Sequence, residues 1–219
     1  LFVTIVGTVF SLAVTTLLSY VLSRSDYRYG KPLTLLLLFT MLFNGGLVPS
    51  YMVNTQLLGL RDSVWALILP MSLNVFYVVV LRTFFKSIPM EIVEAATIDG
   101  SGEFNTFLKI VLPLSKPGIA TIGLFTMIAY WNDWFLGMLY IYETKNYPIQ
   151  TFLWSMQNSL ESLKQSSANA LEYAEMANNA PTNSGRMALT VLVVLPILCA
   201  YPFFQKYFVK GLTIGGVKG

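Results

Sequence analysis

Histidine is absent from this sequence of 219 residues, and Cys199 is the only cysteine. Without histidine or a second cysteine, the chain excludes an internal disulfide framework and a cysteine–histidine metal site. A membrane-embedded enzyme is disfavoured because no nucleophile has a visible base. The phosphate-binding pattern Gly-x4-Gly-Lys-Ser/Thr is missing, and the acidic residues are too scattered for a paired-carboxylate site. We therefore expect no catalytic residue, and no metal or cofactor bound by this chain.

Charged residues are also scarce, at 11% of the sequence, whereas 55% of the residues are hydrophobic. Soluble proteins carry about 25% charged residues. The composition therefore predicts an all-α, polytopic transmembrane helical bundle, with one domain over 1–219. The net charge of +3 reflects lysine and arginine residues that orient the chain in a bilayer. It does not indicate that nucleic acid is a partner.

Five apolar runs are each long enough to cross about 30 Å of hydrocarbon as a helix. Lysine and arginine favour alternate connections, so the positive-inside rule places the links after the first and third runs, and the C-terminal tail, in the cytoplasm. The sequence enters its first run directly at Leu1, and we expect a preceding span to be missing. The predicted spans are 2–22, 33–53, 64–85, 117–141 and 187–208.

The cytoplasmic connection 87–116 is the polar interval on which the functional interpretation depends. A helix is predicted from about Pro89, because proline suits the first turn of a helix. Gly100 should end it, since glycine permits the positive φ of a tight stop. Ser101 is then expected to cap a second short helix that runs to about Leu112, before a proline. The interval thus predicts two short helices that meet at Gly100.

Seven residues of this interval carry a resemblance to a known family. Their order and spacing resemble the EAA loop of ABC importer permeases, in which a cytoplasmic helix-turn-helix docks into a groove of the ATP-hydrolysing subunit. The resemblance implies an ATPase-coupling role for these residues, with both alanines leaving a thin helix face and the glutamate offering a charged contact. The alternative is an ordinary amphipathic connector. The residues are Glu94, Ala95, Ala96, Gly100, Ile110, Leu112 and Pro113.

A polar cluster interrupts the fourth span at Tyr130, Trp131, Asn132 and Asp133. Asp133 should lie about 24 Å along the helix from Pro117, in the outer part of the bilayer. Aromatic rings beside an amide and a carboxylate suit a sugar path, because the rings stack on CH surfaces and the polar groups bind hydroxyls. The alternative is an interfacial aromatic belt in which the carboxylate reaches water. Permeases similar to this one carry an aromatic-Asn-acid sequence on the same helix.

Asn74 in the third span is a further candidate for the substrate path, because a polar group in hydrocarbon faces the bundle interior. It could instead bond a neighbouring helix. In the second span, Gly45, Gly46 and Pro49 indicate either a kink open to a cavity or a simple loop boundary.

The external segment 142–186 is the one long polar stretch outside 87–116. Apolar residues at helical spacing over 151–165 predict a surface helix with one apolar face. We expect this helix either to lie flat as a scaffold or to form, within 150–180, part of the docking surface for an external binding protein.

The C-terminal sequence YFVKG and the final GVKG resemble the end of MalG-type carbohydrate permeases. The long external segment and GGLVPSY favour the Lpl-type subgroup for oligo- or polysaccharides. This resemblance implies the type I importer fold, also called MetI-like, in the bacterial inner membrane. It also implies a second homologous permease subunit, forming a heterodimer. The other implied partners are two ATPase subunits that hold ATP and Mg, an extracytoplasmic binding protein and membrane lipid.

Two alternative functions stay open at this point. The first is an ABC permease for another solute, such as a peptide or an ion, because the EAA loop does not separate substrates. The second is an ion-gradient-driven carrier, in which Asp133 would be the coupling group.

Overall fold

The computed structural model describes residues 1–165, 185, 187–199 and 202 of the chain. Within these residues every regular element is a helix, as the composition predicts. The helices, several of which contain a short 3-10 or π-helical turn, are α1 Phe2–Ser23, α2 Gly30–Leu42, α3 Leu47–Leu57, α4 Trp65–Met71, α5 Val75–Lys86, α6 Met90–Ile98, α7 Glu103–Leu114, α8 Lys116–Asn132, α9 Phe135–Tyr140, α10 Ile149–Gln165 and α11 Met187–Cys199.

Among the described helices, α1 alone is long and apolar enough to cross a membrane without a break. Three pairs reach that length only together, and each pair is bent. The angle is 113° between α2 and α3, 53° between α4 and α5, and 81° between α7 and α8. The described residues thus hold up to four spans, and the predicted count of five is not confirmed. Of the predicted span 187–208, only α11 and residue 202 lie within the described part.

Local chemistry explains where the paired helices break. Between α2 and α3, Gly46 takes a φ of +89°, and its N–H donates to the Asn44 side chain at 2.9 Å. This is a conformation that glycine adopts at low cost. The glycines of the second span therefore mark a sharp change of direction. The fourth predicted span, 117–141, also ends its main helix early, because α8 stops at Asn132 and Asp133 takes an extended conformation.

A face of small residues on α1 packs against α5 and α8. Its buried members are Thr4, Gly7, Ser11, Thr15 and Ser19, which recur every three or four positions. Small side chains at this spacing let two helix backbones approach closely in a membrane protein. We call this row the α1 seam. Apolar residues such as Ile5, Val9, Leu17 and Val21 are exposed on α1.

At the end of α1 that is predicted to be cytoplasmic, a buried cluster joins five elements. Its members are Tyr20 from α1, Leu81 and Phe85 from α5, Val93 from α6, Phe107 and Val111 from α7, and Ile122 from α8. The interval 87–116 is therefore packed into the ends of the spanning helices, and it does not hang free as a connecting loop. This packing positions the candidate site.

Candidate functional site

The two helices predicted in the polar interval are confirmed, and Gly100 joins them. It takes a φ of +78° just after α6. Its N–H donates to the Thr97 carbonyl at 3.0 Å, and the Ser101 N–H reaches back to the Ala96 carbonyl at 2.9 Å. These bonds satisfy carbonyl groups that the end of a helix leaves unpaired. We call the α6–Gly100–α7 unit the coupling loop.

The predicted cap of α7 is wrong, and the helix ends two residues beyond the predicted end at about Leu112. The residue before α7 is Gly102, and the Ser101 hydroxyl instead accepts hydrogen bonds from the side chains of Asn105, at 3.1 Å, and Thr106, at 3.0 Å. The helix also continues through Pro113 to Leu114. A proline ring clashes with the carbonyl four residues earlier in a regular helix. The turn before it is π-helical, over Phe107–Val111, and this wider turn gives the ring room.

The motif residues of the coupling loop divide between its two sides. Glu94, Ala95, Gly100 and Pro113 are exposed, whereas Ile110 and Leu112 are half-buried. Ala96 is only 7% exposed, because it faces the interior of its own chain. Of the two alanines expected to form a thin exposed face, only Ala95 is therefore available to a partner.

Sequence reasoning missed the apolar residues on the outer side of the coupling loop. Ile98 is 85% exposed and Phe104 is 67% exposed, one on each side of Gly100, and Leu108 is exposed on α7. The available signal was the presence of large apolar residues in an otherwise polar interval. Phe104 and Leu108 are four positions apart on α7 and therefore lie on the same face of that helix. We call Ile98, Phe104 and Leu108 the outer face of the loop.

The underside of the coupling loop is bound to α1 by aromatic packing. The ring of Phe107 lies 4.8 Å from that of Tyr20, measured between centroids. Tyr20 in turn meets Phe85 edge-on, at 6.2 Å. These ring contacts join α7 to the ends of α1 and α5 that are predicted to be cytoplasmic.

A cleft of about 650 Å³ brings together three of the five predicted path residues, at the other end of α1. Tyr130, Trp131 and Asp133 line it, together with Asp62, Tyr147 and Gln150. Asn132 and Asn74 are not among the residues that line it. The cleft also borders the first residues of α1, so α1 runs from the coupling loop to the cleft.

The polar ends of the two buried aromatic residues are occupied within the chain. The Tyr130 hydroxyl donates to the Ile68 carbonyl at 2.7 Å, and the Trp131 N–H donates to the Val193 carbonyl at 3.0 Å. Both residues are buried. They border the cleft with only a small part of each ring, while their hydrogen-bonding groups hold α4 and α11 in place.

The carboxylates supply the negative polar groups of the cleft. Asp133 follows α8 directly and is half-buried, and one of its oxygens accepts a long bond of 3.5 Å from the Leu136 N–H. Asp62 accepts a hydrogen bond from the Tyr142 N–H at 3.0 Å. Both groups retain acceptor capacity for a polar ligand.

The side chains of the two asparagines have partners within the chain instead. The Asn74 side chain accepts hydrogen bonds from the N–H groups of Phe76 and Tyr77, at 3.0 and 3.4 Å, so it caps the start of α5. The Asn132 oxygen accepts a bond from Gln150 at 3.3 Å. Asn74 thus acts as the N-cap of α5.

The predicted surface helix of the external segment is confirmed as α10, and it packs against the break after α8. Trp154 of α10 stacks on Trp134 at 4.7 Å, and Thr151 donates to the Trp134 carbonyl at 3.0 Å. Trp134 therefore joins α10 to the segment between α8 and α9. The second half of the proposed docking region 150–180, from residue 166 onward, lies outside the described residues.

A group of tyrosines near the external turn was not predicted from the sequence. The hydroxyls of Tyr51 and Tyr142 are 2.6 Å apart, and the Arg61 guanidinium lies 4.7 Å from the centre of the Tyr142 ring. The hydrogen bond with Tyr51, assisted by Arg61, lowers the pKa of Tyr142. The contacts fasten α3 to the segment after α9. Within the described part of the chain, no three acidic or sulfur side chains converge to hold a metal ion.

Comparison with known proteins gives a consistent result across the chain. A family described as "Binding-protein-dependent transport system inner membrane component" matches residues 1–214. The polygalacturonan/rhamnogalacturonan transport system permease protein YtcP of Bacillus subtilis (strain 168) is 42% identical over 220 residues, which cover 100% of this chain and 74% of that protein. Protein LplC of the same organism is 41% identical, over 100% of this chain and 72% of its own length.

Solved structures share the fold, and one of them illustrates the match. It is described as the crystal structure of a bacterial ABC transporter involved in the import of the acidic polysaccharide alginate. The match has a TM-score of 0.75 at 30% sequence identity, and it covers 94% of this chain and 73% of the other. The folded arrangement described above is thus found in a transporter of known structure.

Proposed function

The chain belongs to the family of binding-protein-dependent transport system inner membrane components, and from this membership we propose that it is the permease subunit of an ABC importer for carbohydrate. The family is a transport component, so the chain is not itself an enzyme. Of the two alternatives weighed for the sequence, family membership disfavours the ion-gradient-driven carrier.

The coupling loop is the observation that carries the proposal. Its outer face exposes Ile98 and Phe104, while its underside packs on Tyr20 and Phe85. A helical unit that is apolar outside and fixed to spanning helices inside suits an element that docks on a soluble partner and passes on its movement. We propose that ATPase subunits dock on this face, and that ATP and Mg bind to them and not to this chain.

The proposed cycle follows from this placement. ATP binding draws two ATPase subunits together, and their closure moves the coupling loop of this chain and that of a second homologous permease subunit. The paired bundles then rock between inward-facing and outward-facing states, and sugar passes from an extracytoplasmic binding protein into the bilayer path. Glu94, Ala95 and Gly100 lie on the exposed side that would meet the ATPase.

The substrate is proposed to be an oligo- or polysaccharide. The descriptions of two similar proteins support this proposal. One protein is named as a permease for polygalacturonan and rhamnogalacturonan, and the other is described as a transporter involved in the import of alginate. The cleft adds aromatic ring surface from Tyr130 and Trp131 beside the carboxylates of Asp62 and Asp133. Ring faces stack on the CH surface of a sugar, and carboxylates accept bonds from its hydroxyls.

The test of the coupling role is the double variant Ile98→Ser/Phe104→Ser in a complex reconstituted with its ATPase and binding protein. We expect loss of ATPase co-purification and of binding-protein-stimulated ATP hydrolysis, because the docking face loses its apolar contact. The matched control is Leu57→Ser, which alters an equally exposed apolar residue near the external turn. Equal co-purification of both variants would remove the proposed docking face.

The substrate proposal needs a separate measurement. Uptake of labelled oligosaccharides, delivered by the cognate binding protein, should saturate and should require ATP. Uptake of a peptide or an ion in their place would instead support the alternative ABC permease.

A further inference from the structure

A polar junction joins the first residue of α7 to the last turn of α1. Nη2 of Arg24 lies 2.9 Å from one oxygen of Glu103, and the Tyr20 hydroxyl donates to the other oxygen at 2.8 Å. Both oxygens of this carboxylate are therefore engaged by groups on or next to α1. We call Tyr20, Arg24 and Glu103 the α1 junction.

The guanidinium of the junction is held in a largely buried position. The Arg24 side chain is only 14% exposed, whereas that of Glu103 is 61% exposed. Asp26 provides a second carboxylate, 3.2 Å from Nε of Arg24. A buried cation loses more than an exposed one when its partner is removed, because water cannot replace the bond. Loss of the ion pair should therefore cost the buried Arg24 more free energy than it costs the exposed Glu103.

The charges also complement the two helices. Arg24 stands at the C-terminal end of α1, where a helix favours a cation, and Glu103 opens α7, where a helix favours an anion. The Nε of Arg82, on α5, donates to the Leu22 carbonyl at 2.8 Å and satisfies the end of α1 from the other side. The C-terminal end of α1 is therefore hydrogen-bonded both to α5 and to the coupling loop.

The far end of α1 borders the cleft. α1 contains 22 residues without a break, which corresponds to a length of about 33 Å. Its first residues, Phe2 and Thr4 among them, line the cleft, and Gly7 packs on the Tyr130 ring. The bent pairs can absorb movement at their breaks, but an unbroken helix passes displacement from one end to the other.

We propose that the α1 junction transmits movement of the coupling loop to α1, and that α1 carries it to the cleft. Tyr20, Arg24 and Glu103 are then positioning residues for transport. The inference rests on the proposed function, because it assumes that the loop moves with a partner ATPase. The rival explanation is that the aromatic contact of Tyr20 with Phe107 transmits the movement alone.

The test measures sugar transported per ATP hydrolysed, in reconstituted complexes of equal subunit composition and thermal stability. Glu103→Gln keeps the size of the side chain and removes its charge. We expect this variant to lower the ratio about fivefold or more, the lower range of measured coupling between sites. The exchange Arg24→Glu/Glu103→Arg should restore part of the ratio, since it recreates the pair in reverse. A merely structural contact would change stability and leave the ratio unaltered.

The matched control is Asp26→Asn, which removes the other carboxylate near Arg24 without touching α7. It should leave the ratio near that of the unaltered protein. A fall as large as that of Glu103→Gln would overturn the proposal, because the burial of Arg24, and not its link to α7, would then be responsible.

Tyr20→Phe keeps the test decisive if the charge variants fail to assemble. It removes one hydroxyl from the junction and keeps the ring contact with Phe107. A reduced ratio supports the junction, whereas an unaltered ratio in Tyr20→Phe assigns transmission to the rings and overturns it. If the unaltered complex shows no binding-protein-stimulated ATP hydrolysis, the proposed function itself fails, which is a distinct result.

Discussion

Replacement of Gly7 by alanine tests how tightly the α1 seam is packed. A Cβ at this position would lie 2.7 Å from Cε1 of Tyr130 and within 2.9 Å of two further ring atoms. The ring cannot swing aside freely, because its hydroxyl is bonded to the Ile68 carbonyl at 2.7 Å. The alanine must therefore push α1 away from α8 or break that bond.

The expected cost follows from these contacts. Overpacking a close contact costs about 1–3 kcal/mol, and alanine gains about 0.5–1 kcal/mol over glycine inside a helix. The middle of the two ranges gives a fall in the free energy of unfolding of about 1 kcal/mol. For a chain of this size, that corresponds to a drop in Tm of about 2–4 °C.

The assay is thermal unfolding of the purified protein in detergent, compared with Gly123→Ala. Gly123 also lies in a helix at the α1 interface, but the nearest atom to its added Cβ is the end of the flexible Leu12 side chain, at 3.2 Å. We expect this control to melt close to the unaltered protein. Tyr130→Phe should reduce the effect of Gly7→Ala, because a ring without its hydroxyl can move. If Gly7→Ala melts as high as the control, the packing argument is wrong.

Three further outcomes are expected. Gly100→Val should weaken binding-protein-stimulated ATP hydrolysis, because a branched residue at a φ of +78° is strained by about 1–2 kcal/mol. The control Gly102→Ala should hydrolyse ATP normally in the same assay, because the added Cβ meets open space and φ is not positive. Asn74→Ala should lower the free energy of unfolding by about 1 kcal/mol, because alanine cannot cap α5. Asn74→Ser should keep the free energy of unfolding, because serine also caps a helix. Normal sugar uptake by the serine variant would confirm that Asn74 acts as a cap. Trp131→Phe removes the hydrogen bond to the Val193 carbonyl, so the free energy of unfolding should fall by about 1 kcal/mol in a thermal unfolding assay. Sugar uptake should be retained, because an aromatic ring remains at this position. A large loss of uptake at unchanged stability would contradict this prediction.

Features set by neighbouring residues could be predicted from the sequence. α1 follows from its unbroken apolar run, and the turn at Gly100 follows from the conformational freedom of glycine. The helical period over 151–165 likewise predicted α10. In each case the deciding interaction lies within a few positions along the chain.

Features set by distant residues could not be predicted. Hydropathy shows that a run is apolar, but it does not give the direction of the run. Gly45, Gly46 and Pro49 indicated a kink or a loop boundary in the second span, but the size of that bend and of the bend in the third span could not be predicted. The inward orientation of Ala96 depends on packing with other elements. Arg24 and Glu103 are 79 positions apart, and nothing in the sequence pairs them. The cleft was predicted only in part. Asn74 caps the start of its own helix, and Asn132 accepts a hydrogen bond from Gln150 of another helix, so neither of these two predicted path residues lines the cleft.

The unbroken character of α1 bears on the order in which the chain is assembled in the membrane. A helix that satisfies its own backbone and is apolar along its length can enter the bilayer alone. The bent pairs expose backbone groups at their breaks, and these groups need protein or water around them. α1 is therefore suited to insert early, and its seam then offers α5 and α8 a surface on which to dock. Mutations in the seam should accordingly appear in cells as poor accumulation of the transporter, before any defect in transport is measurable.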